Sequence, residues 1–368
     1  MQSVIIGPNQ AGQRFDKFLH NYLPKATTSF LYKMLRKKNI TLNGKKAEGK
    51  EMLKEGDEVK LFFAEDTFAK FAGADVITGS AAEQNTADNL GTAEYETAFH
   101  KLRNIQVIYE DEHVLILNKP SGILTQKASY TDISLNEWMI GYLLHTHTIS
   151  AKELHTFKPS VCNRLDRNTS GLVLCGKSLA GSQALSKLIH DRSVRKFYRT
   201  IVGGCVIKSR QLEDYLIKDE KTNTVQVLDR QSIRNEAKHP GEATQYDTTM
   251  HKSMVDVSLI RTAYMPLKQL TNKYTYLEVE LITGKTHQIR AHLASIGHPL
   301  LGDCKYGSTQ VNQFFKQRYH LSSQLLHAYR LEFPALTGAL AGLSGQTVIA
   351  PLPTMLEKIL KDYNVEVN

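Results

Sequence analysis

Asn163-Arg164-Leu165-Asp166-Arg167-Asn168-Thr169-Ser170-Gly171-Leu172-Val173-Leu174 sets one carboxylate between two arginines, then passes through a small polar turn into an apolar run. The apolar run reads as a strand, and the residues before it as a loop that presents Asp166 at the strand's edge. Nearby positive charge favours the ionised form of a carboxyl group, so Arg164 and Arg167 are expected to keep Asp166 charged. An ionised carboxylate is what nucleophilic catalysis needs.

The same stretch continues as Gly171-Leu172-Val173-Leu174-Cys175-Gly176-Lys177-Ser178, which satisfies the phosphate-loop pattern GxxxxGK[ST] letter for letter. A phosphate loop needs a strand before the first glycine and an open loop of small residues whose amides cradle the phosphate. Here the four residues between the glycines are apolar strand formers, and Lys177 lies beyond that strand. No apolar strand ending in Asp is found to supply a magnesium ligand, so nucleotide hydrolysis and a nucleotide cofactor are set aside.

Around this centre, residues 105–368 alternate short β-rich runs with few helices. Gln106–Tyr109, Val114–Leu117 and Leu172–Leu174 read as strands, and Leu179–His190 as a helix. Thr275–Ile282 alternates with Leu277, Val279 and Leu281 on one side, a strand with a single buried face. Strands and helices do not alternate regularly, which predicts an α+β fold with a largely antiparallel sheet.

The first 63 residues differ in charge, with 12 Lys and Arg against 6 Asp and Glu. Phe15, Phe18, Leu19, Tyr22 and Leu23 form a helical stripe that Pro24 should end. A second helix from Thr28 or Ser29 buries Leu31, Met34 and Leu35 and leaves Lys33, Arg36, Lys37 and Lys38 outside. Ile40–Lys46 turns at Asn43-Gly44, a two-residue hairpin signal, with Lys45 and Lys46 just past it. Glu58–Phe63 reads as a closing strand. Residues 64–104 carry seven acidic and three basic residues, with frequent Ala, Thr, Gly and Asn, and are read as a flexible acidic linker in which scattered Phe and Val leave room for packing or a short helix.

Across all 368 residues the net charge is +9 and the pI about 9.1, a balance that favours a polyanionic partner. Cys162, Cys175, Cys205 and Cys304 lie far apart without CxxC spacing, as ordinary thiols of a reducing compartment do. His287, His292 and His298 are five and six residues apart, without an acidic partner at metal-site spacing, and are expected to be structural or to touch RNA rather than a metal. No apolar run is long enough to span a bilayer and no secretory leader is evident, so a soluble, cytoplasmic protein without membrane association is expected.

The Asn163–Gly171 stretch closely resembles the nucleophile motif of the RluA-type RNA pseudouridine synthases, although many relatives carry His where this chain has Asn163. Val107–Gly122, with its Lys119-Pro120 turn, is similar to the opening of that catalytic domain. Val194–Tyr198 resembles its Lys-x-Tyr motif, Leu281–Asp303 its third motif and Leu326–Pro334 its final strand. Residues 1–63 resemble the alpha-L RNA-binding module first known from a small-subunit ribosomal protein.

The resemblance implies three parts: an RNA-binding domain over 1–63, a linker over 64–104, and a catalytic domain over 105–368. The catalytic fold would be a mixed, largely antiparallel sheet with a central active-site cleft. It implies isomerisation of uridine to pseudouridine without metal or cofactor, RNA as partner, and large-subunit ribosomal RNA, free or in an assembling particle, as target. A transfer-RNA substrate is the alternative within the class. A non-catalytic RNA-binding or ribosome-assembly factor is the alternative outside it.

By the same resemblance Asp166 starts the reaction, by attack on C1′ of the ribose, by taking its C2′ proton or, in an older scheme, by attack on C6 of uracil. Tyr198 would stack on the base and serve proton transfer at C5, and Arg290 would pair with Asp166. Arg164 would contact phosphate or fill the space of the flipped nucleotide. Arg167, Lys196, Ile289 and the basic residues Lys33, Arg36, Lys37, Lys45 and Lys46 complete the expected RNA contacts.

Overall fold

The computed structural model describes residues 1–72, 84–151, 153–219, 224–228 and 257–366. At the N-terminal end, β1 (Gln2–Ile5), α1 (Phe15–Tyr22), α2 (Thr28–Arg36), β2 (Ile40–Leu42), β3 (Lys45–Lys46) and β4 (Glu58–Leu61) build an antiparallel sheet of order β1-β4-β2-β3 with two helices. Phe15, Phe18 and Leu19 from α1, Leu31 and Leu35 from α2, and Ile40, Val59 and Leu61 from the sheet share one core. The α2 helix starts where the Thr27 hydroxyl accepts the Phe30 N–H at 3.3 Å. Asn43 and Gly44 both have positive φ, 51° and 71°, so the hairpin turns as its Asn-Gly sequence requires. Lys33, Arg36, Lys37, Lys45 and Lys46 are all exposed.

The flexible-linker reading of 64–104 is corrected for the described part of that segment. α3 (Glu65–Phe71) packs onto the N-terminal core, its Phe71 ring 4.1 Å from Phe30. α4 (Gln84–Lys101) lies against α5 (Leu135–His145), burying Tyr95 and Ala98 among Leu135, Trp138 and Met139. Its axis comes so near that a Cβ at Gly141 would stand 2.3 Å from the Tyr95 carbonyl. Alanine and glutamate suit a helix as well as a linker, and these aromatic anchors, widely spaced in sequence, decide for the helix.

Beyond α4 the chain continues with β5 (Gln106–Glu110), β6 (Val114–Lys119), β7 (Ser160–Val161), β8 (Ser170–Gly176), α6 (Leu179–His190), β9 (Arg195–Gly203), β10 (Arg210–Asp219), β11 (Thr224–Leu228), β12 (Val257–Thr271) and β13 (Tyr274–Leu281), with α5 between β6 and β7. It ends with α7 (Gln288–Ser295), α8 (Thr309–Tyr319), β14 (Leu326–Glu332), β15 (Thr347–Ile349) and α9 (Thr354–Asp362). Among the described residues these strands form one mixed sheet of order β11-β10-β12-β13-β9-β14-β8-β6-β5, with β15 beside β14 and β7 beside β8. The β14–β8 pair is parallel and the others are antiparallel. The α+β expectation therefore holds.

Every residue of β8 is buried because the sheet is covered on both faces. Val173 and Cys175 pack with α5, while Leu172 and Leu174 pack with Leu185 and Leu188 of α6. β13 likewise buries Thr275 to Glu278 and Val279 in succession, so the single apolar face expected for it gives way to two. Gly171, at φ 111°, is where β14 crosses: a Cβ there would lie 2.2 Å from the Ala328 carbonyl. Lys177 is a buried structural cation, its Nζ 2.6 Å from Glu110 Oε1, which agrees with setting aside the phosphate-loop pattern. No helix among the described residues is long and apolar enough to cross a membrane.

Candidate active site

The Asp166 turn is held from three sides. Thr125 Oγ1 donates to the Leu165 carbonyl at 2.8 Å and accepts the Leu165 N–H at 3.1 Å, which fixes the residue before Asp166. The Asp166 carbonyl closes the turn onto Thr169 N at 3.0 Å. From the Lys119-Pro120 turn, Gly122 N reaches the Arg167 carbonyl at 2.9 Å and Ser121 Oγ the Asn168 carbonyl at 2.9 Å.

Lys119 lies beneath, with no exposed surface. Its Nζ donates to the carbonyls of Pro120 at 3.1 Å, Ile123 at 2.8 Å and Arg167 at 3.0 Å. Burial pushes this amine down to about 7, against the pull of the Asp166 charge.

The charged partner of Asp166 is Arg290, whose Nη1 stands 3.1 Å from Asp166 Oδ2. No ion pair joins Asp166 to Arg164 or Arg167 among the described residues. Both neighbours are exposed, and the partner arrives from α7, 124 positions along the chain. Arg290 is itself aimed by Asp303, which takes its Nε at 2.7 Å and its Nη2 at 2.9 Å in a two-pronged pair. Asp303 is wholly buried and also accepts the Lys305 and Tyr306 backbone N–H groups. These bonds hold its carboxyl below the usual range in spite of burial. The Tyr306 ring lies under the guanidinium, 5.3 Å from its centre.

Tyr198 enters from β9, between Val279 of β13 and Ala328 of β14. Burial and the Asp166 charge raise the pKa of its phenol, so it is a neutral hydroxyl at ordinary pH. Arg164, Asp166, Tyr198, Ile289 and Arg290 line one open cleft of about 360 Å³, with Leu281 and Leu326 as its apolar walls.

Arg167 and Lys196 are not among its lining residues, and the five N-terminal cations belong to the separate small sheet and its helices. Burial lowers the pKa of the Lys196 amine. Lys285 and His287 do line the cleft. His292 is buried between Thr262 Oγ1 at 2.9 Å and Asp214 Oδ2 at 3.0 Å, and His298 bonds the Gly203 carbonyl at 3.0 Å; both are structural.

Lys119 and Asp303 entered the sequence reading only as members of motifs, without a role, and Tyr306 was not singled out. The roles of Asp303 and Tyr306 exist only once α7 is in place.

Comparison with known proteins agrees with this architecture. The RNA pseudouridylate synthase family model matches residues 113–295, and the S4 domain model matches residues 13–59. Ribosomal large subunit pseudouridine synthase C of Rickettsia bellii is 30% identical over 317 residues, covering 86% of this chain and 90% of that protein. The protein of the same name from Vibrio parahaemolyticus is 28% identical over 98% of this chain and 96% of its own length. Among solved structures, Human RNA Pseudouridylate Synthase Domain Containing 4 shares the fold, with a TM-score of 0.53 at 18% identity, covering 76% of this chain and 98% of that one. With an RNA-binding S4 domain ahead of the cleft and similarity along nearly the whole of both chains, this protein belongs to the RNA pseudouridylate synthase family.

Proposed function

We propose that the cleft converts uridine to pseudouridine in large-subunit ribosomal RNA, and that Asp166 starts the reaction. The observation that carries this is the chain Asp166–Arg290–Asp303, in which a buried acid aims an arginine at an accessible carboxylate. The substrate class is supported by the relatives named above, both of which carry the large ribosomal subunit in their names. The isomerisation breaks the N1–C1′ bond, turns the base and rejoins it through C5, with no net redox change. Arg290 orients the Asp166 carboxylate for attack at C1′ or removal of the C2′ proton.

Tyr198, neutral and nearly enclosed, offers a ring for the uracil to stack on. Its hydroxyl can take the C5 proton only as its own proton moves on. Ile289, Leu281 and Leu326 provide the apolar wall against the base. Arg164, exposed at the cleft, suits the backbone of the flipped nucleotide; Arg167, exposed on the same turn, and Lys196 are kept as RNA contacts on the strength of their charge and of the family resemblance. The exposed Lys33, Arg36, Lys37, Lys45 and Lys46 hold RNA through its phosphates. The site of action is the cytoplasm, on free ribosomal RNA or on assembling particles.

Asp166→Asn keeps the shape and removes the charge. Its turnover on a large-subunit RNA transcript, read by pseudouridine mapping, is expected to fall by about a thousandfold, roughly 4 kcal/mol, with RNA affinity little changed. Wild-type turnover by this variant would remove Asp166 from its role. Pseudouridines that appear in transfer RNA instead of ribosomal RNA would reassign the substrate.

A further inference from the structure

His287 occupies the position before α7 in the left-handed region, at φ 52°, and does not cap the helix with its side chain. Its ring is instead hydrogen-bonded at Nδ1 and faces a carboxylate across a longer gap at Nε2. Nδ1 lies 3.0 Å from the Tyr306 hydroxyl, and Nε2 lies 3.9 Å from Asp166 Oδ2, the oxygen that Arg290 already holds. The Tyr306 hydroxyl also accepts the backbone N–H of Val225, at 2.9 Å, from the edge strand β11. Among the described residues, Asp166 Oδ1 receives no hydrogen bond.

A phenol has one proton, and with one lone pair engaged by Val225 it can still donate that proton to Nδ1. The opposite tautomer would turn the Nε2 lone pair toward a carboxylate. We propose that Tyr306 locks His287 with its proton on Nε2, so that a neutral imidazole N–H faces Oδ2 of Asp166 and Oδ1 is left as the oxygen that reacts. Of the groups around the ring, Arg290 and Lys305 oppose an imidazolium while Asp166 and Asp303 favour it, and burial decides for the neutral form. An N–H dipole 3.9 Å from Oδ2 interacts most strongly while the carboxylate is charged and less once Oδ1 is bonded to carbon. It therefore favours the release of Asp166 from any covalent intermediate. His287 and Tyr306 are positioning residues in this scheme, which rests on the reading of the cleft as a pseudouridine synthase site.

The test uses the full-length protein with ¹⁵N-labelled histidine, the His287 signals being assigned by their loss in His287→Gln. Long-range ¹H–¹⁵N correlation without RNA is expected to show His287 protonated at Nε2, and Tyr306→Phe to move it toward the Nδ1 form. With RNA, Tyr306→Phe is expected to lower kcat about five- to tenfold, the equivalent of one hydrogen bond, with KM unchanged. His287→Gln, whose amide can place a donor where Nε2 stood, is expected to keep more kcat than His287→Leu. Wild-type His287 protonated at Nδ1 or at both nitrogens would overturn the proposal. So would a Tyr306→Phe protein with tautomer and kcat unaltered, or equal kcat in the Gln and Leu variants. The tautomer is read without substrate, so a wild-type protein that forms no pseudouridine in any RNA would remove the functional reading while the spectrum still decides the tautomer.

Discussion

Lys119 shows how one buried side chain can set a catalytic loop. An ammonium has three donors, and here three carbonyls from two different turns converge on it. Its removal leaves the Pro120 and Ile123 carbonyls without partners in a buried site, while the Arg167 carbonyl keeps only the Gly122 N–H. Lys119→Met, similar in length and apolar, is expected to destabilise the fold by about 2 kcal/mol, at roughly 1 kcal/mol for each stranded acceptor. It should also loosen the Arg167 carbonyl and with it the Asp166 turn, so that kcat falls even in the fraction that remains folded. Urea unfolding and single-turnover rates on one preparation check both effects; a variant as stable as the parent would mean that the loop is held by Thr125 and Gly122 without the lysine.

At the scale of elements, β14 supplies the clearest pH dependence. His327 in that strand is 1% exposed and bonds Ser170 Oγ through Nδ1 at 2.9 Å. Burial pushes its pKa down to about 4. The unfolded chain protonates near 6.5, so on acidification the unfolded state takes up the proton first. Stability is thus whole above about 6.5 and is lost as pH falls through 4, by up to about 3 kcal/mol. Denaturant midpoints between pH 7 and 4 should show this loss, and His327→Gln should flatten it; an unaltered pH slope in the variant would assign the loss to other groups. The Asn43-Gly44 hairpin, the stripe of α1 and the helix Leu179–His190 were legible in the sequence because their signals are local. The Asp166 motif and the fold class were legible too, the first by resemblance and the second by the irregular order of strands and helices. The Arg290 partner entered through resemblance alone, since nothing near Asp166 announces a residue 124 positions away. The place and length of α4 were not legible because its burial depends on α5, and the contacts of Lys119, Asp303 and the His287–Tyr306 pair because each is made only when separate segments meet.

For the whole molecule, the proposed function divides the work, the basic N-terminal sheet holding RNA and the cleft doing the chemistry. Changing Lys33, Arg36 and Lys37 together to Gln in the full chain should weaken RNA binding and flatten its salt dependence by about 2, at roughly 0.7 for each single-strand phosphate that the protein no longer neutralises. kcat at saturating RNA should stay the same, and filter binding across a salt series with turnover in parallel reads both; an unchanged salt slope would remove α2 from the RNA interface. The order of strands carries one more consequence, for the time at which the enzyme comes into being. β8 and β9 follow one another in the chain but are parted in the sheet by β14, which is synthesised after every other strand of the sheet except β15. Until Leu326–Glu332 has left the ribosome, the half that carries Asp166 and the half that carries Tyr198 and Arg290 have no strand between them to join their edges. On the function proposed above, the cleft can be completed only after β14 has emerged, whereas every strand of the N-terminal sheet is available long before it.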